Sequence, residues 1–136
     1  MQLSATASYA IKILCFMAQN KSNKYSSRTL SQELNIPYKY LTRIMTKLKN
    51  GDLLTSTQGK YGGFSLKKDS KEIRVIDIII VFDDADNKRC VLEDTKCNFE
   101  HKCILHDKWE KPRCAIDDVF AKTTLFELSN QAKENQ

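Results

Sequence analysis

Between residues 26 and 66 the chain changes from helical to strand periodicity in an order that leaves few folds open. Ser26 or Ser27 offers an N-cap for a short helix carrying Leu30 and Leu34. Asn35-Ile36-Pro37 is a tight break, and Pro37 suits the first position of a following helix. That second helix is expected to reach about Asn50, with Leu41, Ile44, Met45 and Leu48 inward and Gly51 ending it as a C′ residue. Leu53 to Thr57 is then β-prone, Gln58 to Gly63 is a glycine-rich turn, and Phe64-Ser65-Leu66 returns as a strand. Three of the chain's four glycines stand in that turn, where positive φ or close backbone approach is required. Two helices at helix-turn-helix spacing, followed at once by a hairpin, describe a winged helix-turn-helix.

Charge indicates what such a module would face. Residues 1–68 hold 11 lysines and arginines against two acids, Glu33 and Asp52, a net of +9. Residues 69–136 hold 11 against 15 acids, a net of −4. A basic half joined to an acidic half is the footprint of a nucleic-acid module carrying a regulatory or assembly module. We therefore expect two domains, a DNA-binding domain at 1–68 and a sensor loop with a dimerisation region at 69–136. The second helix would be the reader, presenting Tyr38, Lys39, Thr42, Arg43, Thr46 and Lys47 to a major groove. Arg28 and the wing residues Gln58, Lys60, Tyr61 and Gly62 complete the candidate DNA contacts. Upstream, residues 5–19 read as an amphipathic helix with Ala7, Ala10, Ile11, Leu14 and Ala18 on its stripe. The polar run Asn20 to Lys24 ends it.

The acidic half carries the densest chemistry. Cys90, Cys97, Cys103 and His106 fall within seventeen residues, separated by gaps of six, five and two. His106 follows Cys103 at i+3, which on a helix puts both on one face. Three thiols and an imidazole are a complete set for a four-coordinate zinc or for an iron–sulphur cluster. Structural zinc usually takes cysteine pairs two to four residues apart, so these wider gaps suit ligands reaching from a loop around a larger cluster. Zinc and a thiol switch stay as alternatives.

Around this loop, Ile73 to Phe82 is expected to be helical or a buried apolar segment, and Cys103 to Trp109 a short helix. Pro112 is expected as a break at or near the start of the last helix. Ala115, Ile116, Val119, Phe120, Thr123 and Phe126 then form one stripe. A helix this apolar at the end of a small domain needs a partner, and a second copy matches a palindromic operator on double-stranded DNA.

With these residues in view, the chain resembles the IscR/NsrR-type family of bacterial winged-helix regulators. The likeness rests on Leu3 to Ala10, on Ile36 to Leu54, on the wing Gly59 to Leu66 with Gly62-Gly63-Phe64-Ser65-Leu66, and on the three cysteines near residue 100. It implies a mainly α fold with a small β-hairpin wing and a long C-terminal dimerisation helix. It also implies a homodimeric transcription regulator, a repressor by expectation, gated by an iron–sulphur cluster that senses iron–sulphur status, nitric oxide or redox state. In the family the fourth ligand is a histidine just past the third cysteine or an acid near residue 8 of the partner. Here residue 8 is Ser8 and no acid precedes Glu33, so His106 is the better candidate, with His101 behind it. Histidine ligation goes with a 2Fe–2S cluster rather than 4Fe–4S. The family wing often carries an arginine where this chain has Gln58. Cys15 reads as core packing and Cys114 as structural or as an alternative ligand.

Other classes find little support. Five cysteines cannot form a full disulfide framework. No apolar run approaches a membrane span, and Met1 to Ser4 lacks the start of a signal peptide, so a cytoplasmic protein is expected. Gly59 to Gly63 leads into a strand rather than a helix, which does not make a nucleotide cradle. No nucleophile–base constellation points to an enzyme. An electron carrier would leave the +9 half without a purpose.

Overall fold

The structure is a computed structural model, and it describes residues 3–19, 24–82, 92 and 102–135. Its elements run α1 (Ala5–Gln19), α2 (Ser27–Leu34), α3 (Tyr38–Asn50), β1 (Leu54–Thr57), β2 (Gly63–Leu66), α4 (Val75–Phe82), α5 (His106–Lys122) and α6 (Leu125–Glu134). The fold is mainly helical with one antiparallel hairpin, as expected.

α1 buries Ala7, Ala10, Ile13, Leu14, Met17 and Ala18. Its apolar face is broader than one stripe because α3, α4 and α6 all pack against it; Ile11, expected inward, is only half-buried. α2 is capped by Ser26, whose Oγ accepts from the Thr29 N–H at 3.1 Å. Asn35 closes α2 in the left-handed region at φ 53°, which a short amide side chain tolerates. Ile36 donates its N–H to the Ser31 carbonyl, and Ser31 Oγ donates back to the Ile36 carbonyl at 2.6 Å. This reciprocal pair sets the turn between α2 and α3. Pro37 stands at the N-cap, one place before the position expected for it, and α3 buries Leu41, Ile44, Met45 and Leu48 as its period requires.

The end of α3 corrects the expectation for Gly51. Gly51 sits at φ −84°, and the left-handed residue is Asp52 at φ 62°. Gly51 is needed for packing instead, since a Cβ there would come within 2.6 Å of Val81 Cγ2 on α4. Lys67 holds Asp52 in place at 3.0 Å, and that hydrogen bond draws the Asp52 carboxyl below its usual pKa.

The hairpin pairs Leu54 with Leu66 and Thr57 with Gly63. Tyr25, just before α2, adds a bridge on the far side of β2, with hydrogen bonds of 2.9 and 2.7 Å to and from Phe64. Gly63 lies at φ 149°, and a Cβ there would meet the Tyr25 backbone at 2.9 Å. At Gly62 a Cβ would lie 2.1 Å from the Thr57 carbonyl. Both glycines are therefore required by close backbone approach, as the turn composition predicts.

The C-terminal half differs from expectation in three places. The helix expected from Cys103 begins only at His106, which leaves Cys103 in the turn before it. Pro112 lies inside α5 rather than breaking before it, so the segment from residue 106 and the last stripe form one helix through Lys122. An interior proline forfeits one backbone hydrogen bond without having to end a helix. The stripe does not continue to Phe126: α5 ends at Lys122 with Thr123 as its C-cap, and α6 begins anew. The reason is a β-bridge between Arg74 and Thr124, with Val75 N–H to Thr123 at 2.9 Å and Leu125 N–H to Ile73 at 2.7 Å. Thr124 Oγ1 then caps α6 by accepting from Glu127 N–H at 3.2 Å. This Thr-x-x-Glu capping pattern was present in the sequence.

The core spans both charge halves. Ile13, Leu14, Leu30, Leu41, Ile44 and Leu48 share one buried cluster with Ile73, Ile78 and Leu125. Each such side chain stabilises by about 1.5–3 kcal/mol through burial. α6 returns across α1, so the last helix completes the core begun by the first.

Candidate nucleic-acid interface and metal-ligand cluster

α3 divides cleanly. Its apolar side is fully buried, while Tyr38, Lys39, Arg43, Thr46 and Lys47 are exposed and Thr42 is half-buried. The Thr42 and Thr46 hydroxyls are spent within the helix, donating to the Lys39 and Thr42 carbonyls at 2.8 and 2.9 Å. Tyr38, Lys39 and Arg43 are therefore the freer donors. Lys47 lies at the edge nearest α4, its ammonium 5.9 Å from the Phe82 ring centre. Tyr40 anchors the helix from behind, with its hydroxyl 2.8 Å from Thr6 Oγ1 and its ring edge-on to Tyr9. Sequence reading missed this tyrosine, which lies between exposed Lys39 and buried Leu41.

At the wing, Gln58, Lys60 and Tyr61 are all exposed, Tyr61 to 84%, and Gly62 is half-buried. The Lys60 ammonium lies 5.7 Å from the Tyr61 ring centre, so the tip joins a cation to an aromatic face. Arg28 is exposed in the first turn of α2. An exposed tyrosine and lysine at a hairpin tip serve no packing purpose, and they suit phosphate and sugar contact.

The second candidate site is seen in part. Cys90, Cys97 and His101 lie outside the described residues. Cys103 is half-buried, and its carbonyl accepts from the His106 N–H at 3.1 Å. His106 opens α5 and is buried to 4% exposure. A soft thiol three residues from a buried imidazole is a donor pair that fits iron–sulphur or zinc. Donor atoms of His106, Asp107 and Glu110 also lie within 4.8 Å of one another, although both acids are exposed. The two acids follow His106 at i+1 and i+4, and sequence reading passed over them. Cys15 is a different kind of thiol: burial in α1 pushes its pKa up to about 11, leaving it protonated and unreactive. Cys114 is exposed on α5.

α5 also presents apolar side chains outward. Val119 is 59% exposed, Ala115 is exposed, and Ile116 and Phe120 are half-buried. Among the described residues, no helix is long and apolar enough to cross a membrane.

Comparison with known proteins agrees with this architecture. Residues 3–131 match the model of the Rrf2 family, described as iron-dependent transcriptional regulators. A protein of Aquifex aeolicus assigned as a helix-turn-helix-type transcriptional regulator is 34% identical over 133 residues, covering 96% of this chain and 92% of the relative. The transcriptional regulator IscR of Photorhabdus laumondii is 26% identical, over 96% of this chain and 80% of its own. Among solved structures, CymR, the global cysteine regulator of B. subtilis, superposes with a TM-score of 0.82 at 26% identity, covering 96% of this chain and 98% of CymR. The winged helix, the exposed cationic side of α3 and a family match over nearly the whole length together show that this chain belongs to the Rrf2 family of transcriptional regulators.

Proposed function

We propose that this regulator binds a palindromic DNA operator as a homodimer and that a metal–thiolate group at Cys90, Cys97, Cys103 and His106 sets its affinity. The observation that carries the DNA reading is the division of α3 into a buried apolar side and an exposed side bearing Tyr38, Lys39 and Arg43. Arg28, Thr42, Lys47 and the wing residues Gln58, Lys60, Tyr61 and Gly62 would add contacts to the same duplex. The exposed apolar side chains of α5 support a two-fold partner there, and a dimer would space two reader helices one DNA turn apart. Residues 1–68 would read DNA and residues 69–136 would sense and dimerise, around a shared core.

For the metal group, a 2Fe–2S cluster is preferred. The description of the family as iron-dependent, the likeness to IscR, and the Cys103–His106 donor pair support it. Such a cluster, when bound, supplies a redox-active and oxygen-sensitive charge centre. A second reading has a specific observation behind it. The fold superposes well on a global cysteine regulator, which favours thiol oxidation, or zinc, at the same cysteines. Anaerobic purification separates the two. Visible absorption that appears on adding iron and sulphide, and is lost in Cys97→Ala, supports the cluster. A colourless protein that loses free thiols under mild oxidant supports the thiol switch.

A further inference from the structure

Two threonines share the polar side of α3 with its cations. Thr46 is exposed and Thr42 is half-buried, between Lys39, Arg43 and Lys47 in the helix. Neither threonine offers its hydroxyl proton outward. Thr42 Oγ1 donates to the Lys39 carbonyl at 2.8 Å, and Thr46 Oγ1 donates to the Thr42 carbonyl at 2.9 Å. Bonds of this kind to the preceding turn are common for helical threonine. A hydroxyl has one proton to give, so neither side chain is left able to donate to a base.

What remains is the other branch of each side chain. The Cβ of threonine carries an oxygen and a methyl, and with the oxygen committed to the helix backbone the methyl is the group left for a partner. The major groove presents one apolar group, the C5-methyl of thymine. The guanine edge there carries only acceptors, which these two hydroxyls cannot serve. We infer that Thr42 and Thr46 are specificity-determining residues that select thymine through methyl contact, while Lys39 and Arg43 serve polar base edges and phosphates. This rests on the reading of α3 as the helix in the groove given above. Four residues separate the two threonines, about 6 Å along the helix axis, so they would address neighbouring base pairs rather than one.

The test uses an operator selected from random duplexes and copies in which each thymine in turn is replaced by deoxyuridine. That change removes the methyl and keeps every hydrogen-bonding group. Wild-type protein should bind the copies altered at the contacted thymines about fourfold more weakly, the worth of burying one methyl group. Thr42→Ser and Thr46→Ser keep the hydroxyl and remove the methyl, and each should bring one of these ratios to about one. Thr42→Val and Thr46→Val keep a methyl and remove the hydroxyl, and they should preserve the ratios. Each ratio compares two duplexes on one protein, so a loss of folded protein cancels from it. A wild-type ratio of one at every thymine, a ratio that survives both serine substitutions, or one that is lost in the valine variants overturns the inference. If Lys39→Ala or Arg43→Ala weakens binding while every ratio is one, α3 stands as the reader and the threonine assignment alone has failed. If both alanine variants bind as tightly as the wild type, α3 is not the reader and the inference falls with it.

Discussion

The α2–α3–hairpin unit and α5 distribute polarity in opposite ways. In the first, Leu30, Leu41, Ile44 and Leu48 are buried while Lys39, Arg43, Lys60 and Tyr61 face solvent. In the second, the two buried side chains are His106 and Arg113, while Val119 and Ala115 face out, and the preceding Ile104 is 98% exposed. The first arrangement is finished as it stands and offers charge to a polyanion. The second is unfinished among the described residues: its apolar side chains face outward, and no carboxylate there pairs with its buried cation. Under the function proposed above, the reading unit is preformed and the α5 region is where a second copy and a metal would act. Regulation through an incomplete region is economical, since whatever completes it also changes its stability.

The largest effect should come from preventing completion of α5. Val119→Glu places a charge on the exposed apolar side and should turn a dimer into a monomer in sedimentation. DNA affinity should fall about a hundredfold or more as two-site binding is lost. A dimer that persists would move the interface elsewhere. Next, Lys39→Ala and Arg43→Ala test the finished region. Each should cost about 1–3 kcal/mol of DNA binding and reduce its salt dependence, read by fluorescence anisotropy across a salt series. Equal affinity in both variants would remove α3 as the reader.

These regions also differ in how far the amino-acid pattern alone reveals them. α1, α2, α3 and the hairpin follow directly from strong periodicity and from glycines that only a tight turn explains. The α5–α6 boundary is obscured because Thr123 fits the apolar stripe, and the bridge that stops the helix comes from Arg74, some fifty residues earlier. Gly51 is similar: its local role as a helix stop is plausible, but its actual constraint is Val81 on α4. Arg113 gives no signal at all, since an arginine beside a proline reads as surface until its burial is known. Local chemistry is legible in sequence, and contacts between distant segments are not.

Smaller effects test the finished region's geometry. Gly63→Val should destabilise by about 1–3 kcal/mol in thermal unfolding, because it meets both a positive φ and the Tyr25 backbone. Gly59→Ala, strained at φ 106° but with open space around it, should cost less. The smallest change is chemical. At pH 8, Cys15 should alkylate about a hundredfold more slowly than an ordinary thiol, because its pKa is raised to about 11. Stability should be unaffected below pH 9 and decline as the pH rises through that range, since unfolding frees the thiol to ionise. Rapid labelling of Cys15 in native protein at pH 8 would contradict its burial.

The central claim, that a group at the start of α5 controls a reader made by α3 and the wing, has one direct test. The operator is selected from random duplexes, and its Kd is measured without air for metal-free and iron-and-sulphide-loaded protein at one salt concentration. The account predicts visible absorption in the loaded form and a change in Kd of about tenfold or more, the usual size of coupling between two sites, with the change abolished in Cys97→Ala. A loaded, coloured protein whose Kd equals that of the metal-free form would contradict it.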